Sequence, residues 1–434
     1  MNEDPEPGQC HSRRHFLKRS TGMLTGLPAY FGAASLFPVH QVQAQSESAT
    51  QISKSIIGRY GSWASTLRPS PPSLSFRNAN QTDPISWRKD AQSKAHELIA
   101  SPDLGSNPQV RVDKAYTYDG LAVEELSWQL PHGRRINAVL LKPEGATKPL
   151  PGILALHDHG GNKYFGARKI TRTSADVHPL LVEHQKKYYG GTAWANEIAR
   201  KGYVVLVHDT FAFGSRRVHY EDVEGIPWGP LNVAGKSDAN PEESNNIASY
   251  NEWAAEHENV MSKSLFCAGT TWPGVTLAED SAALEVLSAR PDVIAGKIGC
   301  GGLSGGGLRT VYLTGLDDRI QCAVCVGFMS TWDDFLIRKA YTHTWMTYAP
   351  LLPNYLEFPE IFGLRVPVPI MALNNSQDQL FTLEEMKKAD SILREVYTKA
   401  GAADRYRSRF HDGHHKFDPT MQKEAFDWLD RWLK

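Results

Sequence analysis

The residues best able to do chemistry lie in the last third of the chain. The stretch Lys297-Ile298-Gly299-Cys300-Gly301-Gly302-Leu303-Ser304-Gly305-Gly306-Gly307 opens as a short apolar strand and turns sharply around Ser304. It then runs into a helix-like segment through Val311, Tyr312 and Leu313. Gly-x-Ser-x-Gly between a strand and a helix is the setting in which the motif marks a nucleophile elbow. Serine on such a turn occupies strained backbone, and a side chain at Gly302 or Gly306 would collide with the crossing strand and helix. The strain lifts the Ser304 hydroxyl clear of the sheet. It also leaves the Gly305 amide free at a helix N-terminus, where it can stabilise an oxyanion. A serine nucleophile needs a base, and the base needs an orienting acid. Asp378 follows the apolar segment 370–374 in a loop. A turn aspartate or helix cap is the ordinary role for such a residue, and Asp333 and Asp334 compete for the acid's place. His411, His414 and His415 crowd the loop ahead of the last helical segment.

These residues need a scaffold. Continuous apolar runs at 152–156, 203–207, 298–300, 322–326 and 368–373 alternate with helical segments. That pattern predicts a parallel sheet covered on both faces, an α/β architecture. Helices are predicted over 85–100, 194–201, 277–289, 307–315, 383–399 and 419–434. Upstream, segments 109–118, 121–130 and 135–142 alternate in polarity and read as an antiparallel edge meander. Two connections, 210–273 and 329–365, are too long for simple crossovers. Both leave the C-terminal end of a strand, so they read as insertions capping a pocket. Trp228, Trp253, Trp272, Trp332 and Trp345 lie in or beside them. Such tryptophans either wall a sugar site or pack the insertions, and Trp272 is carried forward as a candidate substrate contact. Arg216 and Arg217 follow the second parallel strand. Arg216 either grips a substrate carboxylate in bidentate fashion or braces the fold in an ion pair, for example with Asp209.

The chain has 434 residues, 41% of them apolar, a formal net charge of -1 and a pI near 7.0. That balance argues against nucleic acid or an anionic membrane as the main partner. Cys322 and Cys325 form a C-x-x-C pair within an apolar run. On a strand they point to opposite faces, so a shared metal is not expected and both read as core residues. At the N-terminus, Ser12-Arg13-Arg14-His15-Phe16-Leu17-Lys18 matches a twin-arginine export signal. A small-residue apolar stretch, 21–39, and a cleavage site at Val42-Gln43-Ala44 follow. The expected organisation is a signal peptide over 1–44, a Ser/Pro/Asn-rich linker over 45–82 with little regular structure, and one domain over 83–434. The twin-arginine machinery is then a partner, the destination is the periplasm or beyond, and no stable membrane insertion follows cleavage. Export in the folded state also weakens the case for structural disulfides.

The first parallel strand ends in Leu156-His157-Asp158-His159-Gly160-Gly161. This resembles the α/β-hydrolase loop that donates a second oxyanion amide, here from His159 or Gly160. A metal reading would enlist His157 and His159 with Asp158 or Asp209, but alternation puts His157 and Asp158 on opposite faces, and Gly-Gly has no role as a ligand. Serine, then acid, then histidine is the α/β-hydrolase order. From about residue 109 to 434 the chain resembles the dienelactone hydrolase and acetyl xylan esterase-like branch of the α/β-hydrolases. The resemblance is carried by His157-Asp158-His159-Gly160-Gly161, by Gly202-Tyr203-Val204-Val205-Leu206-Val207-His208-Asp209, by Gly302-Leu303-Ser304-Gly305-Gly306-Gly307, and by Gly413-His414-His415-Lys416-Phe417. It implies a Ser304-His415-Asp378 triad, His415 being preferred through Gly-x-His-x-Phe, with His414 the alternative. Serine in place of the cysteine of characterised dienelactone hydrolases points to the esterase side. The expectation is hydrolysis of carboxylic esters, carbohydrate acetates among them, through an acyl-enzyme without metal or organic cofactor. A peptidase of the same fold and a non-catalytic carbohydrate-binding protein are the rival readings. No blade-like repeat supports the first, and a complete triad speaks against the second.

Overall fold

A computed structural model describes residues 54–226, 229–239 and 242–434. The expected signal peptide, 1–44, and the start of the expected linker lie outside the described residues. The strands are β1 Arg111–Tyr118, β2 Leu121–Trp128, β3 Ile136–Pro143, β4 Leu150–Leu156, β5 Val204–His208, β6 Val293–Leu303, β7 Cys322–Val326, β8 Ile370–Asn375 and β9 Tyr406–His411. They form one nine-stranded sheet in the order β1-β2-β3-β5-β4-β6-β7-β8-β9. The polar-alternating strands β1 to β3 pair antiparallel at one edge, and β3 joins β5 antiparallel. From β5 onward every pairing is parallel.

The apolar runs of the parallel strands are buried on both faces. Leu154, Leu206, Cys300, Ala323, Cys325 and Ala372 point into one core. Ile153, Val205, Cys322, Val324, Met371 and Leu373 point into the other. The period-two alternation thus separates Cys322 from Cys325, as pleat geometry requires. The helices are α1 Tyr60–Ser65, α2 Pro84–Ile99, α3 Pro179–Tyr189, α4 Trp194–Arg200, α5 Ser244–Cys267, α6 Trp272–Ser288, α7 Gly305–Leu316, α8 Phe358–Gly363, α9 Leu383–Lys399 and α10 Pro419–Leu433. Side chains of α2, α6, α7, α8 and α9 cover the first face, and those of α4 and α10 the second.

The long connection after β5 holds α5, a helix not expected from its sequence. Its buried Ile247, Tyr250, Trp253 and Ala254 pack on Tyr164, Phe165 and Tyr220 in a third, separate cluster. The connection after β7 is mostly short turns that end in α8. Residues 54–82 carry α1 and little other regular structure, yet they are tied down. Phe76 is fully buried, and the Trp87 indole donates to the Leu74 carbonyl at 2.6 Å. Arg68 donates to Glu357 at 3.0 Å. Among the described residues no helix is long and apolar enough to cross a membrane.

Strand order reverses around β4, with β5 on one side and β6 on the other. In such sheets the crevice at the strands' carboxyl ends is where ligands bind. The registers place Leu156 of β4 beside Gly302 of β6, and Asn375 of β8 beside His411 of β9. The loops that follow these four strands therefore emerge in two adjacent pairs at one end of the sheet.

Candidate active site

Ser304 sits between β6 and α7 at φ 58° and ψ -120°, backbone that non-glycine residues adopt only where surrounding structure enforces it. The enforcement is visible. Its N–H donates to the Val326 carbonyl and its carbonyl accepts from the Leu308 N–H, both at 2.9 Å. A Cβ on Gly302 would lie 2.3 Å from the Leu156 carbonyl oxygen, and one on Gly306 2.1 Å from the same atom. The two glycines flanking the turn are thus required by the closeness of β4.

His415 Nδ1 lies 2.6 Å from Asp378 Oδ2. With Nδ1–H donating to the carboxylate, Nε2 is the basic nitrogen, and no protein group among the described residues bonds to it. Asp378 is 5% exposed, and its other oxygen accepts from the Leu380 N–H at 2.9 Å. The acid and histidine loops are stitched together: Ser376 N–H donates to the His411 carbonyl at 2.8 Å and Gln377 N–H to the Gly413 carbonyl at 3.1 Å. His414 is exposed, with Nδ1 3.2 Å from the Gln377 carbonyl. Asp333 pairs with Lys388 at 3.0 Å, and Asp334 accepts from Ser330 and Thr382. Both belong to the bracing of the second insertion.

Ser304, His415 and His159 line one cavity of about 300 Å³, with Leu308, Phe328 and His343 among the other walls. The loop after β4 crosses directly over the start of α7. A Cβ on Gly305 would stand 2.9 Å from the His159 amide nitrogen. Among the described residues no protein group accepts a hydrogen bond from the amides of His159, Gly160 or Gly305.

The β4–α3 loop is held from two sides. On the buried side, the ammonium of Lys169 donates to the Asp158 carbonyl, to the His159 carbonyl at 3.1 Å and to the Asn162 carbonyl at 3.2 Å. The Asp158 carboxylate accepts from Tyr189 at 2.5 Å and meets His184 Nε2 at 3.1 Å. Burial lowers Lys169 to about 8, against the pull of Asp158. On the other side stands α5. Asn251 Oδ1 accepts from the N–H groups of Lys163 and Tyr164 at 2.9 and 3.0 Å. Glu258 pairs with Lys163 at 2.7 Å and with His159 Nε2 at 3.0 Å. Since His159 Nδ1 accepts from the Gly161 N–H at 3.0 Å, Nε2 carries the proton. Burial is also the main reason that His159 titrates below the usual histidine range. For Glu258 burial works upward, but Lys163 and His159 outweigh it and hold the carboxyl at about 2. Lys169, Asn251 and Glu258 escaped the sequence reading, because nothing in their local sequence announces their partners.

Two expected substrate contacts are placed elsewhere. Arg216 is buried and donates to Glu279 at 2.5 Å and to the His132 carbonyl at 3.1 Å, so its guanidinium braces α6 against the β2–β3 turn. The partner is Glu279 rather than Asp209, whose carboxylate accepts from the N–H groups of Ala167 and Ser215 at 2.7 and 2.8 Å. Trp272 is 1% exposed, stacked edge-on with Phe211 at 5.1 Å and capped by the Lys163 ammonium at 4.7 Å. Neither residue lines the cavity. His157 and His159 have separate partners, the Asp158 carbonyl and Glu258.

No family model matches the chain. Over 315 residues it is 28% identical to the Bacillus subtilis protein YtaP, provisionally named a hydrolase, covering 72% of this chain and 88% of that one. A Bacteroides fragilis protein, provisionally named an acetyl xylan esterase, superposes with a TM-score of 0.57 at 18% identity over 83% of this chain and 84% of its own. A glucuronoyl esterase from Solibacter usitatus superposes with a TM-score of 0.56 at 13% identity, over 84% of this chain and 99% of its own. The described chain has the α/β-hydrolase fold.

Proposed function

We propose that the chain is a serine carboxylic-ester hydrolase that works through an acyl-enzyme on Ser304. The observation that carries this reading is the His415–Asp378 pair at 2.6 Å on the same cavity as the strained Ser304. His415 Nε2 takes the Ser304 proton as the hydroxyl oxygen attacks the ester carbonyl. Asp378 holds the imidazole in the required tautomer and stabilises its charged form. The free amides of Gly305 and His159, with Gly160 beside them, receive the oxyanion, and one such donor is worth roughly 3 to 4 kcal/mol. His415 returns the proton to the departing alcohol, and water, activated by the same histidine, releases the acid.

Esters of carbohydrates are the substrate class we favour. The cavity is small, and its wall combines Thr342, His343, Thr344 and Thr347 of the second insertion with apolar Met346 and, just before the insertion, Phe328. Two neighbours in fold bear the names of enzymes acting on such esters. The motif around Arg13 and Arg14 supports export by the twin-arginine route.

The test is p-nitrophenyl acetate hydrolysis by the wild type and by Ser304→Ala, with a parallel panel of acetylated and methyl-esterified sugars. Activity in the wild type that falls by about three or more orders of magnitude in Ser304→Ala is the expected result. Turnover of aryl esters with none of the sugar esters would remove the carbohydrate assignment and leave the esterase. Inactivity of both proteins on all substrates would favour the binding-protein reading.

A further inference from the structure

Lys169 is fully buried and takes no part in the triad chemistry. A buried ammonium is expensive to keep unless its surroundings use it. Three of its partners are backbone carbonyls, those of Asp158, His159 and Asn162, and each belongs to a trans peptide. In a trans peptide the C=O and the following N–H point to opposite edges of one plane. Drawing these carbonyls inward therefore turns the N–H groups of His159, Gly160 and Lys163 outward. The outward direction can be checked at one of them: Lys163 N–H meets Asn251 Oδ1 on the far side of the loop at 2.9 Å. The other two, on His159 and Gly160, are the amides left without an acceptor beside Gly305.

We propose that Lys169 is a positioning residue for ester hydrolysis, which aims the His159 and Gly160 N–H groups at the oxyanion and polarises their peptides. This rests on the reading of Ser304 as nucleophile. A carbonyl that accepts from a cation makes its own peptide N–H a stronger donor. The His157 imidazole, 3.0 Å from the same Asp158 carbonyl, adds a second donor there. The charge acts through little water, because Lys169 is walled by Phe213 at 4.8 Å and by the Asp158 carboxylate at 3.8 Å. Asp209, Lys163 and Arg309 are the further charges that face it. A structural brace alone would be served by a neutral donor. The ammonium adds a field aligned with the place where negative charge develops.

The test uses the full chain with Lys169→Met, which keeps length and bulk without charge, and Lys169→Arg, which keeps the charge. Kinetics on p-nitrophenyl acetate are paired with the affinity for phenylboronic acid, which forms an anionic tetrahedral adduct on the serine. In Lys169→Met, kcat should fall about 100-fold while KM moves by less than about threefold, and boronate affinity should fall by a similar factor as kcat. Lys169→Arg should recover a large part of both, and its melting temperature need not follow. A folded Lys169→Met with kcat and boronate affinity within about threefold of wild type overturns the proposal, as does a loss of kcat without loss of boronate affinity. Should Lys169→Met fail to fold, Lys169→Gln is judged by the same two readings. A wild type that neither hydrolyses the ester nor takes a fluorophosphonate on Ser304 sinks the triad reading instead.

Discussion

At the scale of single residues, Ser304 trades stability for placement. Its φ of 58° is costly for a residue with a Cβ and free for glycine. Ser304→Gly should therefore be inactive and yet melt higher than the wild type, by the equivalent of about 1 kcal/mol. Ser304→Ala should be inactive without that gain, and thermal melts of the three proteins decide it. Ser304, Asp378 and His415 could be picked out as candidates because each lies in a short local pattern, and the fold brings Asp378 against His415 on the cavity that Ser304 lines. Residue type could not choose between His414 and His415. Their places in the fold differ: His415 meets Asp378, while His414 stays exposed against the Gln377 carbonyl. The role of Arg216 was equally hidden, since its partner Glu279 is 63 positions away.

At the scale of elements, α5 is the helix that the sequence concealed. Its inward face mixes Tyr250, Trp253, His257 and Glu258, so no apolar stripe of helical period stands out. Asn251 and Glu258, two turns apart on one side, grip the same loop at separate points. The parallel strands and α9 were legible for the opposite reason: the strands are buried as unbroken apolar runs, and α9 buries one face at helical spacing. The grip of Glu258 carries a pH signature. Its carboxyl is held at about 2 against an ordinary 4.5, so on acidification the unfolded chain takes up the proton first. The stabilisation is complete above about pH 4.5 and is lost as the pH falls through about 2, amounting to about 3 kcal/mol at most. Denaturant melts of wild type and Glu258→Gln should differ most near pH 6, and the gap should close only as the pH falls to about 2 and below. A constant gap would mean that folding does not shift the titration of Glu258.

At the scale of the whole molecule, the segment before α2 is part of the domain's closure. Its Ser, Pro and Asn content reads as linker, and such composition does imply irregular backbone. It says nothing about anchors, which here are single side chains with no period. Ser75 Oγ and Phe76 N–H both bond to buried Glu360, and the Lys399 ammonium caps the Phe76 carbonyl at 2.6 Å. A chain beginning at residue 83 would lose Phe76 from its place against Trp87, 4.7 Å between centroids. The loss of a buried aromatic costs about 3 to 5 kcal/mol. Truncation should therefore lower the melting temperature markedly, and an unchanged melt would show the segment to be dispensable. The cysteines of the described residues divide just as sharply. Cys300, Cys322 and Cys325 are buried and Cys267 is exposed at the end of α5. Burial pushes the Cys300 thiol up to about 12 and raises the other two buried thiols as well. Among the described residues a maleimide dye thus has one accessible address. It sits on the helix that holds the loop after β4, so a fluorescence change on adding ester would report optically on the cap as the substrate arrives.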